Sequence, residues 1–227
     1  MKLLALDTAT EALSVSLATG SARIDRYIEI ERGHAEQILP MIESVLAEGG
    51  VALGSLDAIA FGRGPGGFTG VRLAASVAQG LAFGAGVGVI PVSDLAAVAW
   101  RTSQLDATAR QVLVVNDARM REVYWGRFPT DPLLISMEHE ERVDLPAAVV
   151  LGSSPEKWVA AGRGLRAWPE LAERCRQAGA AGLFPDILPS AAGILALATG
   201  RAMAGQILDP ALALPVYVRD RVAEPAP

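Results

Sequence analysis

The stretch "LLALDTATEALSVS" at residues 3–16 joins an apolar run that ends at Asp7 to a second run through a short polar turn. A similar arrangement returns at residues 112–125, "VLVVNDARMREVYW", where Asp117 aligns with Asp7. Apolar runs separated by so few residues predict two strands paired in an antiparallel hairpin. The chain is therefore predicted to contain two hairpins, each with a first strand that ends at an aspartate.

A second internal match follows the first in the same order. "AFGRG" at residues 60–64 resembles "AAGRG" at residues 160–164, and each places glycines after a short apolar strand. Two short matches in the same order predict a duplicated fold, with one lobe at residues 1–105 and the other at 106–227. The second lobe has fewer glycines, so it is predicted to be degenerate.

The segments between the matches predict an α/β fold. Three consecutive strands at the amino terminus are followed by "HAEQILPMIESVLAEGG" (residues 34–50), whose apolar side chains recur at helical spacing. Pro40 is expected to fit this helix only within its first turn. Strand and helix patterns then alternate, which gives a lobe of the type strand, strand, strand, helix, strand, helix, strand, helix. The residues from 209 onward predict an extended carboxyl-terminal tail.

Composition excludes several classes of protein. The chain has 227 residues, 51% of them hydrophobic, and a net charge of −5, which argues against binding nucleic acid by itself. No run approaches the roughly 18 apolar residues of a membrane span, and the single Cys175 predicts a cytoplasmic protein without disulfides. His34 and His139 are far apart and are interpreted as surface or helix-end residues, so no zinc site is expected.

The glycine-rich stretch "FGRGPGGFTG" at residues 61–70 has the spacing of two phosphate-binding loops. As a dinucleotide loop it lacks the acidic residue that should follow roughly 20 residues later. As a nucleoside triphosphatase loop it has Phe68 where the phosphate-binding lysine belongs, although its backbone amides could still attract an anion. We interpret it as a vestigial phosphate loop. Its residues are Gly62, Gly64, Gly66, Gly67 and Thr69.

The helix after this loop has a stripe of small residues, Gly66, Gly70, Ala74, Ala78 and Ala82, that recurs every four positions. A smooth stripe allows another element to approach closely. That element is either the helix's own sheet or a partner protein, and the apolar helix at residues 34–50 favours a partner nearby.

Asp7 and Asp117 are candidates for holding a metal-bound nucleotide, because each ends a strand. A turn-capping role is the simpler interpretation of either one. Neither has a second acid at an obvious ligand spacing, and no serine lies in a nucleophile-elbow motif.

Four segments together resemble the bacterial TsaB (YeaZ) family: "LLALDTATEALSVSL", "GRGPGGFTGVRLAASVAQGLAFG", "NDARMREVYW" and the tail "PVYVRD". The resemblance implies a duplicated actin-like fold, which is ribonuclease-H-like and belongs to the ASKHA class. It also implies a role in forming threonylcarbamoyladenosine in tRNA, at the adenosine beside the anticodon. Members of the family act as the non-catalytic paralogue of TsaD, the subunit that transfers the threonylcarbamoyl group, together with the ATPase TsaE.

The resemblance further implies which functional groups are missing. TsaD-like proteins have a metal-binding H-x-x-x-H motif, and here Asp94 and Val98 stand in its place, so neither metal nor cofactor is expected. We expect a heterodimer with a TsaD homologue through the amino-terminal helices, contact with a TsaE homologue, tRNA contact only through the complex, and a possible homodimer when the chain is alone. The alternative is an active ATPase or phosphotransferase that uses Asp7 and the glycine-rich loop. The predicted partner-interface residues are Ile38, Ile42, Val45, Gly70, Ala74 and Ala78.

Overall fold

The chain folds around two five-stranded sheets with helices on their faces. The computed structural model describes residues 1–20, 22–151 and 156–219. In the first sheet the strand order is β3-β2-β1-β4-β5, and three helices belong to this half. Its elements are β1 (Lys2–Asp7), β2 (Ala12–Thr19), β3 (Ala22–Glu29), α1 (His34–Glu48), β4 (Ala58–Gly62), α2 (Phe68–Ala85), β5 (Gly88–Val92) and α3 (Asp94–Leu105).

The second sheet repeats the topology of the first. Its strand order is β10-β9-β6-β7-β8, so the first strand of each half lies in the centre. On one side of it the next two strands of the chain follow as an antiparallel meander, and on the other side lie two strands parallel to it. The predicted duplicated α/β fold of the actin-like class is confirmed. The elements of this half are β6 (Gln111–Asp117), β7 (Val123–Pro129), β8 (Glu141–Asp144), β9 (Trp158–Ala161), α4 (Gly164–Ala167), α5 (Pro169–Gln177), β10 (Leu183–Phe184) and α6 (Ala191–Met203).

The second half is the simpler one within the described residues. Between β8 and β9, where the first half has α1, the described part of the chain forms only a short 3₁₀ turn at Pro146–Ala148. The counterpart of α2 is broken into α4 and α5, and Pro169 begins the second of them. Proline is well tolerated at a helix start, because the first amide has no helical partner there.

The last helix of each half packs against the sheet of the other half. Helix α3 contacts β6, β7 and β9, whereas α6 contacts β1, β2, β4 and β5, and the two helices contact each other between the sheets. Alternate residues of each central strand face this middle layer, for example Leu3 and Ala5 of β1 and Val112 and Val114 of β6. The outer face of the first sheet is covered by α1 and α2. A division at residue 105 places each sheet in one lobe, but it separates α3 and α6 from the sheets that they cover. The two predicted domains, residues 1–105 and 106–227, stay a prediction.

Pro40 lies inside α1 and not in its first turn, contrary to expectation. The helix begins at His34, and Pro40 is exposed on its outer side. Proline removes one helical hydrogen bond, but on a solvent-facing side the freed carbonyl of Glu36 can bind water. The prediction failed because the pattern did not show which side of the helix is buried.

Helices able to span a membrane were not found among the described residues.

Candidate functional site

A cleft of about 670 Å³ lies between the two lobes. Its walls are formed by the glycine-rich loop, the first residues of α1 and α2, the turns after β1 and β6, and residues 216–219 of the tail. The carboxyl ends of the central strands of both sheets therefore meet here, which is where ligands bind in open α/β sheets.

Within the glycine-rich loop, two backbone amides are already hydrogen-bonded inside the chain. The amide of Gly64 donates to Asp94 Oδ2, and the amide of Gly67 donates to the carbonyl oxygen of Ala9 at 2.7 Å. A Cβ atom on Gly66 would lie 2.5 Å from that same carbonyl oxygen. The loop thus packs backbone to backbone on the turn after β1, and its glycines permit this contact.

Residues at the start of α2 show the same close packing. A Cβ atom on Gly70 would lie 2.0 Å from the carbonyl oxygen of Thr8, and Thr8 Oγ1 donates to the carbonyl of Gly70 at 2.7 Å. Thr69 is exposed at the cleft. Phe68, which stands where a phosphate-binding lysine would be, is 58% exposed and packs under the guanidinium of Arg72 at 3.2 Å.

Two aspartates meet beneath the loop, and only one of them was considered as a site residue from the sequence. Asp7 ends β1, Asp94 begins α3, and both side chains are fully buried. A Cβ atom on Gly62 would lie 2.4 Å from Asp94 Oδ1 and 2.8 Å from Asp7 Oδ1. The missing side chain of Gly62, at the end of the strand between β1 and β5, leaves the space in which the two carboxyl groups lie.

The surroundings of the aspartate pair favour the protonated form of Asp94. Burial raises the pKa of Asp94 well above its ordinary value, and the neighbouring carboxylate of Asp7 raises that pKa further. Burial also raises the pKa of Asp7, although the hydrogen bond from Asp94 opposes the rise. Among the described residues, Asp7 Oδ2 and Asp94 Oδ1 have no hydrogen-bond partner. A proton on Asp94 would supply a donor to Asp7 and would leave one buried charge in place of two.

Both strand-end aspartates cap the turns that follow them. Asp7 Oδ1 accepts from the amide of Ala9 at 2.8 Å, and Asp117 Oδ1 accepts from the amide of Arg119 at 3.1 Å. The turn-capping interpretation is confirmed for both. Their surroundings differ, however, because Asp117 is partly exposed at the cleft, whereas Asp7 is buried.

The inward-facing counterpart of Asp7 is Asn116, and not the predicted Asp117. Side chains alternate along a strand, so Asn116 shares the inner face of β6 with Val112 and Val114. Asn116 is 5% exposed, and neither atom of its amide has a hydrogen-bond partner among the described residues. Helix α6 begins with Ala191 where α3 has its aspartate, so the second lobe lacks the carboxyl pair.

Metal-ligand residues do not gather at this site. No group of three histidine, cysteine or acidic side chains that could hold a metal occurs in the described residues. Val98 is buried in the apolar middle layer. His34, the first residue of α1, places Nε2 3.0 Å from the carbonyl oxygen of Thr10, and His139 packs edge-on against Phe128.

The six residues predicted to contact a partner face the interior of their own lobe. Ile38, Ile42, Val45, Ala74 and Ala78 are at most 3% exposed and pack on the outer face of the first sheet. Gly70 faces the turn after β1. The prediction for these individual residues is wrong, because the small stripe of α2 allows close packing on its own sheet. That α1 and α2 carry a partner surface stays a prediction.

The outer sides of α1 and α2 carry a different set of residues. On α1, Leu39 is 53% exposed, and on α2, Phe83 is 60% exposed. Ser76, Gly80 and Gly84 recur every four positions along the exposed side of α2, and a Cβ atom on either glycine would meet nothing within 4 Å. The first sheet is thus covered by two helices whose outer sides carry apolar and very small residues.

Ion pairs fasten the two lobes beside the cleft. Arg63 Nη1 lies 3.1 Å from Glu141 Oε2, and the side chain of Glu141 is 6% exposed. Ser93 Oγ, which also caps α3, donates to the same carboxylate. On the other side, Arg163 pairs with Glu29.

Comparison with known proteins places the chain among tRNA-modification proteins. The model of the family described as "TsaD: tRNA N6-adenosine threonylcarbamoyltransferase" matches residues 28–174. The "tRNA threonylcarbamoyladenosine biosynthesis protein TsaB" of Escherichia coli is 37% identical over 98% of this chain and 96% of its own length. The protein of the same name from Haemophilus influenzae is 50% identical over 56% of this chain and 53% of its own length.

Solved structures agree with this assignment. YeaZ from Pseudomonas aeruginosa superposes with a TM-score of 0.86 at 42% identity, covering 95% of this chain and 99% of that one. A second structure, described as an uncharacterized protein with similarity to peptidase YeaZ from Pseudomonas aeruginosa, gives a TM-score of 0.87 at 42% identity, over 96% of this chain and 99% of that one. Because the similarity covers nearly the whole chain, the chain belongs to the TsaB (YeaZ) family of tRNA threonylcarbamoyladenosine biosynthesis proteins.

Proposed function

We propose that this protein is a non-catalytic activating subunit of the complex that forms threonylcarbamoyladenosine in tRNA. In this proposal it docks on a TsaD homologue, which carries the metal site and the transfer chemistry, and acts with a TsaE homologue that hydrolyses ATP. The modified nucleoside is the adenosine beside the anticodon, and the place of action is the cytoplasm.

The main support for this proposal is that backbone amides of the glycine-rich loop donate hydrogen bonds within the chain. A loop that binds phosphate must leave its amides free to converge on the anion. Here the amides of Gly64 and Gly67 donate to Asp94 and to the carbonyl of Ala9 instead. Phe68 replaces a charged contact that would be worth about 1.5–3 kcal/mol, or roughly ten- to a hundred-fold in affinity.

The two aspartates of the first lobe are also unavailable for catalysis. Asp7 and Asp94 are fully buried, and they accept hydrogen bonds from backbone amides of the turn and the loop. Burial and the neighbouring Asp7 also raise the pKa of Asp94. A magnesium-bound nucleotide needs ionised carboxylates that can be reached from the cleft. The aspartate pair therefore supports a structural role, in which it holds the loop against β1.

The outer sides of α1 and α2 suit a protein partner. Leu39 and Phe83 supply exposed apolar surface, and Ser76, Gly80 and Gly84 allow a partner helix to approach the backbone of α2. The match of the TsaD family model to residues 28–174 supports a TsaD homologue as that partner, because paralogues with equivalent helices can pair through them. A homodimer through the same surface is expected when the partner is absent.

The acidic charge of the chain agrees with this division of labour. A net charge of −5 does not favour contact with phosphates, so tRNA contact is expected mainly on the other subunits.

A second candidate function is an actin-like ATPase or phosphotransferase. The observation that favours it is the cleft of about 670 Å³, which is large enough for a nucleotide. This function predicts magnesium-dependent turnover of ATP by the chain alone, whereas the favoured function predicts none.

Reconstitution with one protein omitted at a time tests the proposal. Purified TsaD and TsaE homologues, tRNA, the threonylcarbamoyl donor and ATP are combined with and without this chain, and digested tRNA is analysed by nucleoside chromatography with mass detection. We expect this chain to be required for product, or to increase it greatly, and to form none by itself. Full product without this chain, or product from this chain and donor alone, contradicts the proposal.

A further inference from the structure

The tail of the chain crosses the mouth of the interlobe cleft. We define the strap as residues 214–219, which follow a firm anchor on the first lobe. The 3₁₀ turn Pro210–Leu212 lies on α2, where the side-chain amide of Gln79 donates to the carbonyl of Pro210 at 2.9 Å. Ala213 is buried against the core of that lobe. Beyond Ala213 the chain leaves the core.

On the first lobe the strap is held by the glycine-rich loop. The amide of Val216 donates to the carbonyl of Arg63 at 2.7 Å, and the carbonyl oxygen of Val216 lies 3.1 Å from the position that a Cβ atom on Gly64 would occupy. The ring of Tyr217 lies 4.7 Å from the guanidinium of Arg72, which also covers Phe68. Strap atoms thus rest directly on the loop and on the start of α2.

On the second lobe the strap is held by the turn after β6. Arg219 donates to the carbonyl of Ala118 at 3.1 Å and pairs with the carboxylate of Glu122, and its side chain is only 17% exposed. The guanidinium also contacts the sulfur of Met120 at 3.3 Å. One short segment therefore bonds to both walls of the cleft.

Little burial secures the strap between its two ends. Val216 is 40% exposed and Tyr217 is 50% exposed, so polar contacts, not apolar packing, hold it in place. Segments with few buried contacts open at low free-energy cost. The carbonyl oxygen of Val216 also places a partial negative charge at the mouth of the cleft, which opposes the entry of an anion.

We propose that residues 214–219 are an autoinhibitory strap that closes the cleft, and that an anionic ligand enters the space between the lobes only after the strap has swung away from Arg63 and Glu122. This inference goes beyond the docking proposal and does not depend on it, because the chain alone tests it.

The experiment compares three variants with the intact chain. The first is truncated after Leu214, and the second is Arg219→Ala, which removes the anchor on the second lobe. The matched control is Arg166→Ala, which removes an exposed arginine that pairs with Asp186 within the second lobe. Circular dichroism checks that each variant is folded, and if the truncated chain is not, the Arg219→Ala variant decides the result.

Two measurements follow, namely amide hydrogen exchange and titration with Mg-ATP as the anionic probe. In Arg219→Ala we expect exchange at residues 216–219 to rise about tenfold or more, and in both strap variants we expect Mg-ATP to bind about tenfold more tightly than to the intact chain. The control should match the intact chain in both. Strap amides that exchange freely in the intact chain, or strap variants that bind Mg-ATP no better than it does, overturn the proposal.

Discussion

Replacing Asp94 with asparagine is expected to make the stability of this protein less sensitive to pH. The variant keeps the shape of a protonated aspartate, since its amide can donate to Asp7 while its oxygen accepts from the amide of Gly64. Below the ordinary pKa of 3.8, where Asp94 is protonated in both the folded and the unfolded chain, we expect the two proteins to agree within about 1 kcal/mol in free energy of unfolding.

The magnitude follows from proton linkage. Burial and the neighbouring Asp7 raise the pKa of Asp94 in the folded protein well above its ordinary value of 3.8, and these effects outweigh the opposing influence of Arg63. Above that ordinary value the unfolded chain loses the proton while the folded chain keeps it. Each pH unit then removes about 1.4 kcal/mol of stability until the folded pKa is passed. The asparagine variant lacks this loss, so from pH 5 to pH 7 it should gain up to about 2.7 kcal/mol relative to wild type.

Urea denaturation followed by circular dichroism at pH 5, 6 and 7 measures the effect. Asp94→Ala is the contrasting variant: it also lacks the titrating carboxyl group, but it leaves the Gly64 amide unpaired and should be about 1–3 kcal/mol less stable than Asp94→Asn at each pH. Asp186→Asn, at an exposed site, is the matched control and should retain the wild-type pH dependence. If the Asp94→Asn and wild-type curves ran parallel between pH 5 and 7, the raised pKa of Asp94 in the folded protein would be refuted.

Three further predictions concern nucleotide, partner and lobes. Calorimetric titration of the intact chain with Mg-ATP should show no micromolar binding and no turnover, and turnover that disappears in Asp7→Ala would contradict this. Gly80→Arg, on the outer side of α2, should stay folded by circular dichroism but should not co-elute with the TsaD homologue on a sizing column. Ala78→Arg, at a buried position, should instead unfold the first lobe. Normal co-elution of Gly80→Arg would count against the docking surface. Glu141→Ala leaves Arg63 unpaired in a nearly buried site and should lower the free energy of unfolding by about 3 kcal/mol, and a loss below about 1 kcal/mol would show that this pair does not fasten the lobes.

Local patterns were sufficient to predict the elements of the first half. The apolar runs of β1 and β2 predicted an antiparallel hairpin at the start of three consecutive strands, and the structure confirms it. The duplication was visible because both halves place a capped turn after their first strand. The match of Asp7 with Asp117 was wrong for the inward-facing position, because a shift of one residue moves a side chain to the opposite face of a strand.

Features that depend on packing could not be predicted in this way. The small residues of α2 form two stripes, and the sequence does not show that Ala74 and Ala78 lie inside while Gly80 lies outside. The Asp7–Asp94 pair was also missed, since its members are far apart in sequence. The available signal was Gly62, which ends the strand between β1 and β5 and leaves room for two carboxyl groups. The prediction of an extended tail can be compared with the structure only as far as Arg219, because residues 220–227 lie outside the described residues.

The exchange of α3 and α6 between the sheets has a consequence for how the protein is made. When a ribosome has released only the first half, the inner face of the first sheet has no α6 to cover it, and Leu3, Ala5 and Ile90 remain in contact with water. Such a nascent chain exposes an apolar surface that chaperones bind. The inner face of the first sheet can be covered only after Met203, the last residue of α6, has emerged from the ribosome. The two halves must therefore complete their folding together.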